Sequence, residues 1–362
     1  MKSFCCTFAS LLLSCILSGA VNGQTESLSP DQEKINVAVE ALSRIEGNVN
    51  TSPGLSNAVT RILLKVRGTP NFVAIVKKFD LKDQNEGLVE IAEKVPSTDF
   101  GVEAIRLILK NDAVDLLNRK LSDADEKGVA NLVEALGNAQ EKKANALLVP
   151  LLTSPKVSLA VRKKALQGLA QTQEGAGEVL QIAKAGKLPD DLTFAATSLL
   201  NSVRWAAIQS EAVKILPPLV GKTATPLPPI SELVKMHGDA ANGSKVFFRE
   251  VSGCINCHKV KDTGGDIGPA LTEIGTKLPK EALCEAILDP SAGISVGFEG
   301  FSLELKSGDE AYGLLANETA EEIAIKDLKG IITRFKKSEV VKKTQLKTSI
   351  MPTGLQATMT TQ

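Results

Sequence analysis

The chain has 362 residues, enough for two or three domains, and its 42 basic and 42 acidic residues leave no net charge. That balance argues against nucleic acid as a partner, which needs a positive surplus. Beyond the N-terminus no stretch is long and apolar enough for a transmembrane segment. Aromatics are only 4%, and Leu, Ala, Val and Ile dominate, which favours helical packing over a β-sandwich.

In chain order, Lys2 and the apolar run Phe4 to Leu17 read as an export signal over residues 1–23. The expected cut follows Gly23, with Val21 three places before it, so a periplasmic or otherwise exported protein is expected. Leu12-Leu13-Ser14-Cys15 loosely resembles a lipobox, and a lipid anchor on Cys15 is the alternative. The mature chain then keeps Cys254, Cys257 and Cys284, too few for a disulfide scaffold.

Residues 31–222 are a string of helical patterns. Val129, Leu132, Val133 and Leu136 follow the spacing of one helix face, and Gly137 is placed to end that helix. Ala144, Leu147, Leu148 and Leu151 repeat the pattern before Pro155, and Val161, Ala165, Leu166 and Leu169 supply another stripe. Val133 to Leu136 with Gln140-Glu141 aligns with Leu166 to Leu169 with Gln173-Glu174, an offset of about one helix pair. The region resembles HEAT-type repeats of short period, so an α-solenoid is expected, with an irregular helical bundle as the alternative. Its expected role is a partner-docking surface. The chain has two histidines, His237 and His258, so the repeats hold no Ser-His-Asp triad and no multi-histidine metal site. Residues 223–235, with Pro226, Pro228 and Pro229, read as an extended linker and a domain boundary.

Residues 254–258 are Cys-Ile-Asn-Cys-His. Two cysteines three apart on a helical turn point the same way, so Cys254 and Cys257 can form thioethers with the two vinyl groups of one haem. His258 then presents its imidazole to the iron as proximal ligand, which implies one heme c. A thioredoxin-like pair would need a βαβ setting, and in a zinc site Cys284 and His237 alone would have to serve as the second pair of ligands. Ala241 to Arg249 reads as a short amphipathic helix, with Gly243 and Phe247 placed as in the first helix of cytochromes c. Gly268-Pro269 is similar to the segment whose proline carbonyl holds the proximal histidine, which makes Pro269 a supporting residue or else a plain turn proline.

Together with Ile287-Leu288-Asp289-Pro290-Ser291, Ile294, Gly297 and Ser349-Ile350-Met351-Pro352 before Gly354-Leu355, these motifs resemble the planctomycete-type haem-binding domain. That family is a c-type cytochrome variant, and the likeness spans about the last third of the chain. It implies a cytochrome c-like domain over 236–362 with a small β insert, here about 299–343, and a distal iron ligand on the Met-Pro loop, Met351. A thioether ligand raises the potential, as an electron carrier needs. The residues themselves support the insert. Phe301, Leu303 and Leu305 alternate, as do Tyr312 and Leu314, Ile323 and Ile325, and Ile331, Thr333 and Phe335, with turn residues between, so an antiparallel meander or small barrel is expected. Cys284, in the helical pattern Glu281 to Leu288, reads as a core thiol. Relatives continue into a closing helix after the Met-Pro loop, and no such helix follows here.

The expected fold is thus mainly α: a solenoid, then a helical haem domain with an antiparallel insert. The expected function is electron transfer by a monohaem carrier, not an enzyme, with a separate redox protein such as a periplasmic dehydrogenase as partner. The alternatives are a haem-based ligand sensor or, with fewer acid–base groups at hand, a peroxidase-like enzyme.

Overall fold

The structure is a computed structural model and describes residues 30–46, 49, 52–123, 125–217, 227–249 and 253–362. The expected export signal, Cys15 and the 218–226 stretch with Pro226 lie outside the described residues. The chain is mainly helical with a small antiparallel sheet. Among the described residues no helix is long and apolar enough to cross a membrane.

Helix α1 (Pro30–Arg44) belongs to a unit that ends at Glu46. The second unit runs from Gly47 to the C-terminus. It opens with α2 (Pro53–Val66), α3 (Pro70–Phe79), α4 (Asn85–Lys94), α5 (Asp99–Lys110) and α6 (Val114–Leu121). There follow α7 (Glu126–Ala139), α8 (Lys142–Thr153), α9 (Leu159–Leu169), α10 (Gln173–Lys184), α11 (Thr193–Ser202) and α12 (Ala206–Ile215). Side-chain caps set several starts: Thr98 accepts from the Gly101 amide, Ser158 from Val161 and Thr172 from Gly175. Helix α4 packs on α5 and α7, α7 on α9, α8 on α9 and α10, and α10 on α12. The apolar stripes supply the core: Leu132, Val133, Leu136, Leu148, Leu152, Leu166 and Leu169 are buried to within 1%.

Gly137 does not end α7. The helix continues to Ala139, and Gln140 stops it in the left-handed region at φ 54°. Gly137 instead marks a helix crossing. A Cβ built there would lie 2.6 Å from the Cα of Gly168 on α9. Two glycines face each other so that the backbones can meet.

The five-stranded sheet has β3 (Gly300–Leu305), β4 (Glu310–Glu318), β5 (Glu322–Lys326), β6 (Ile332–Lys336) and β7 (Val340–Gln345), after a two-stranded hairpin of β1 (Lys259–Val260) and β2 (Thr263–Gly264). The order is β6-β5-β4-β3-β7, all antiparallel. The two outer strands β6 and β7 are joined by the three residues Lys337–Glu339. Three residues reach only about 10 Å, so the sheet must curl into a partly open barrel. Glu318 pairs with both Lys337 at 2.8 Å and Lys343 at 2.6 Å across that gap. Leu303, Ala311, Ile323 and Ile325 fill the interior with Phe301, Leu305, Leu315, Phe335 and Val340. The sequence reading has no β7: Val-Val-Lys-Lys-Thr-Gln is an edge whose face toward solvent is charged, and only Val340 and Thr344 are half-buried.

The barrel sits on the helical region. Arg106 donates to Thr333 Oγ1 at 2.9 Å and to the Ala139 carbonyl at 3.0 Å, and it lies over the Phe335 ring. The Ile332 amide donates to Asp99 at 3.0 Å, Lys329 to Asn138 at 2.6 Å and Gln140 to Asp327 at 3.3 Å. Arg204 pairs with Glu310 at 2.6 Å and stacks between Trp205 and Tyr312. The ends of α5, α7 and α8 are therefore covered by the chain's own sheet.

That interface is pH-dependent. Burial, then the Asp309 carboxylate, pushes Glu141 from 4.5 up to about 7, against the pull of Arg106 at 3.5 Å. The folded chain keeps a proton there that the unfolded chain gives up. The stability it supplies is full below pH 4.5 and is lost as pH rises through about 7. Glu141 is 28% exposed, so the term is discounted to roughly 2 kcal/mol between pH 5 and 8. Glu141→Gln is expected to flatten the fall in urea midpoint over that range; an unchanged slope would assign the effect to other groups.

Candidate functional site

The C-terminal third adds short helices: α13 (Ile230–Leu233), α14 (Ala240–Phe248), α15 (Cys254–Cys257), α16 (Ile274–Lys277) and α17 (Lys280–Leu288). Helix α13 falls inside the stretch read as an extended linker and packs on α17.

Helix α15 is a single turn. Gly253 enters it at φ 66°, and the His258 amide donates to Cys254 O at 2.9 Å. His258 itself is extended, so its ring leaves the turn sideways. The hairpin β1–β2 then folds the chain back over α15. Gly265 N donates to Ile255 O at 2.8 Å, Gly268 N to Cys257 O at 2.7 Å and Leu271 N to Lys259 O at 2.8 Å. A Cβ at Gly265 would be 1.9 Å from Asn256 O, and one at Gly268 would be 2.5 Å from the His258 ring. Glycine is what lets the loop lie this close.

The loop delivers Pro269. Its carbonyl lies 2.8 Å from His258 Nδ1. A proline carbonyl can only accept, so Nδ1 carries the proton and donates. Nε2 is left with its lone pair for a metal, the arrangement that orients histidine ligands. Cys254 and Cys257 are half-buried thiols. Burial raises the Cys257 thiol above its ordinary value, and Cys254 beside it adds to this. Cys254, Cys257, His258 and Pro269 thus form one cluster. Among the described residues no three His, Cys, Asp or Glu side chains form a group that would hold a metal ion.

The surroundings fit a large flat apolar group. Helices α13 to α17 contain no buried residue, although they carry Val246, Phe247, Phe248, Ile255, Leu283, Ile287 and Leu288. Phe248 is 48% exposed and Met236 45%. The helical region buries Leu132, Leu136, Leu148, Leu166 and Leu169 to within 1%, although it too exposes Leu64 and Phe194. Two thiols with one oriented imidazole are the donor set that haem attachment would use, and a macrocycle would offer apolar surface to exposed side chains of these helices.

Met351 lies on the loop after β7, half-buried, with its amide donating to Ser349 Oγ at 3.1 Å. Ser349 N donates to Ser291 Oγ at 3.1 Å, which ties this loop to the buried Pro290 turn. After Gly354 a 3-10 turn, Leu355–Thr358, packs on α17, and Arg249 at the end of α14 donates to Thr358 O at 2.9 Å. A short segment after the Met351 loop therefore reaches the C-terminal end of α14. His237 is exposed, and Cys284 is half-buried rather than in a core, because α17 buries nothing. Sequence reasoning missed Gly264, Gly265 and Asp266; the Gly-Gly pair is a turn signal, but what it wraps is visible only in three dimensions.

No protein-family model matches the chain, and no curated protein matches it.

Proposed function

We propose that this chain is an exported monohaem c-type cytochrome that transfers electrons. In this reading residues 31–222 are a HEAT-like α-solenoid and residues 236–362 a cytochrome c-like domain with the barrel as its insert. The observation that carries it is the His258 Nδ1–Pro269 hydrogen bond, made by the residue that directly follows the turn carrying both thiols. Bound haem would supply a one-electron Fe(III)/Fe(II) couple.

The residues have separate tasks. Cys254 and Cys257 would hold the macrocycle through two thioethers. His258 would bind the iron through Nε2, with Pro269 fixing the ring and strengthening its donor character. Met351 would supply the second iron ligand from the protein. The helical repeats carry the barrel on the ends of α5, α7 and α8 and offer the rest of their surface to a redox protein, such as a separate periplasmic dehydrogenase.

The experiment is haem staining and intact mass of the exported protein beside Cys254→Ser with Cys257→Ser. The wild type is expected to carry one covalent haem and the double variant none. Equal haem content in both would sink the proposal.

A further inference from the structure

The loop that holds the histidine is itself held by the barrel. Lys326, the last residue of β5, hydrogen-bonds the Asp266 carboxylate and reaches the Asp266 carbonyl at 3.4 Å. Its side chain is 16% exposed, so the ammonium has little water to fall back on. The backbone at Lys326 is fixed by its neighbour. Asp327 is 7% exposed, accepts the Lys329 and Ile331 amides at 2.9 Å each, and accepts from Gln140 of the helical region.

On the other side, Asp266 begins the run that ends at the histidine. Ile267 is 3% exposed and, with Pro290, is one of two buried residues among the described residues of 227–299. Gly268 lies against the imidazole, and Pro269 accepts its N–H. The chain of contacts from Lys326 to the ring is therefore short and contains no flexible side chain after Asp266.

We propose that Lys326 is a positioning residue for His258, acting through the 266–269 loop, and that the barrel thereby sets the ring orientation and the iron potential. This rests on the haem reading above. The pair adds little to global stability, because the Asp266 side chain is 78% exposed. Its effect is on where the loop sits, and ring orientation is what tunes a ligated metal.

The test uses the full haem-loaded chain with Lys326→Met, Asp266→Asn and Lys326→Arg. It reads the reduction potential and the hydrogen exchange of the Gly268 amide, which donates to Cys257 O. A purely Coulombic influence would move the potential in opposite directions for Lys326→Met and Asp266→Asn, since one removes a positive and the other a negative charge. Positioning moves it in the same direction in both, by about threefold or more in the reduced-to-oxidised ratio, with Gly268 exchange about tenfold faster and with Lys326→Arg near wild type. Opposite shifts with unchanged Gly268 exchange, or no change in either readout, would overturn the proposal. A wild type without haem would overturn the haem reading instead, and Gly268 exchange in the haem-free chain would still decide whether Lys326 braces the loop.

Discussion

Gly265→Ala is expected, on the proposed haem reading, to abolish stable haem attachment while leaving the helical region folded. The added methyl would lie 1.9 Å from Asn256 O, 2.7 Å from its carbon and 3.2 Å from Cys257 N. All three are backbone atoms of the Cys-x-x-Cys-His turn, so no side chain can move aside. The loop must lift, which breaks the Gly265–Ile255 and Gly268–Cys257 hydrogen bonds and withdraws Pro269 from His258. Overpacking of this kind costs about 3 kcal/mol, and each lost bond about 1 kcal/mol more. Gly243→Ala on α14 is the control, because nothing lies within 4 Å of its added methyl. Comparing covalent haem per chain in the two variants checks this; wild-type haem content in Gly265→Ala would show that the loop is not what holds the site.

Gly137→Ala is expected to destabilise the helical region, although alanine is the better helix former. Replacing glycine in a helix interior gains up to about 1 kcal/mol. The methyl would meet the Gly168 Cα at 2.6 Å, again backbone, so α7 and α9 must separate. Both helices bury their apolar stripes completely, Leu132, Val133 and Leu136 on one and Leu166 and Leu169 on the other. Separation loosens all of these contacts at about 2–3 kcal/mol, which exceeds the propensity gain. The expected net loss is about 1–2 kcal/mol, read as a lower urea midpoint. A midpoint equal to or above that of the wild type would mean that the crossing is not close-packed.

These two glycines show where sequence reading stops. The stripes Val129-Leu132-Val133-Leu136 and Val161-Ala165-Leu166-Leu169 declare helices because burial selects apolar residues at helical spacing. The alternation in 301–335 declares strands for the same reason at period two. Gly137 reads as a helix stop because it stands near the end of a stripe, yet its position is set by Gly168, one helix pair away. Strand β7 leaves no alternation, since only Val340 and Thr344 are half-buried and the lysines between them, Lys342 and Lys343, are exposed. At the site, Cys254, Cys257 and His258 stand out in the sequence because the proposed thioether and iron chemistry would fix their spacing, and the structure places them on and just after one helical turn. The brace from Lys326 to Asp266 joins residues 60 apart and involves ordinary surface types, so nothing in the local sequence announces it.

The most direct test of the proposed haem assignment is the visible absorption spectrum of the whole chain, oxidised and then reduced. A covalently bound haem with sharp low-spin bands, and a weak far-red sulfur-to-iron band in the oxidised form, is the predicted result and would fit His258 and Met351 as the iron ligands. A chain without haem absorbance would contradict the central claim. A high-spin spectrum that changes with carbon monoxide would contradict Met351 ligation and the electron-carrier role built on it.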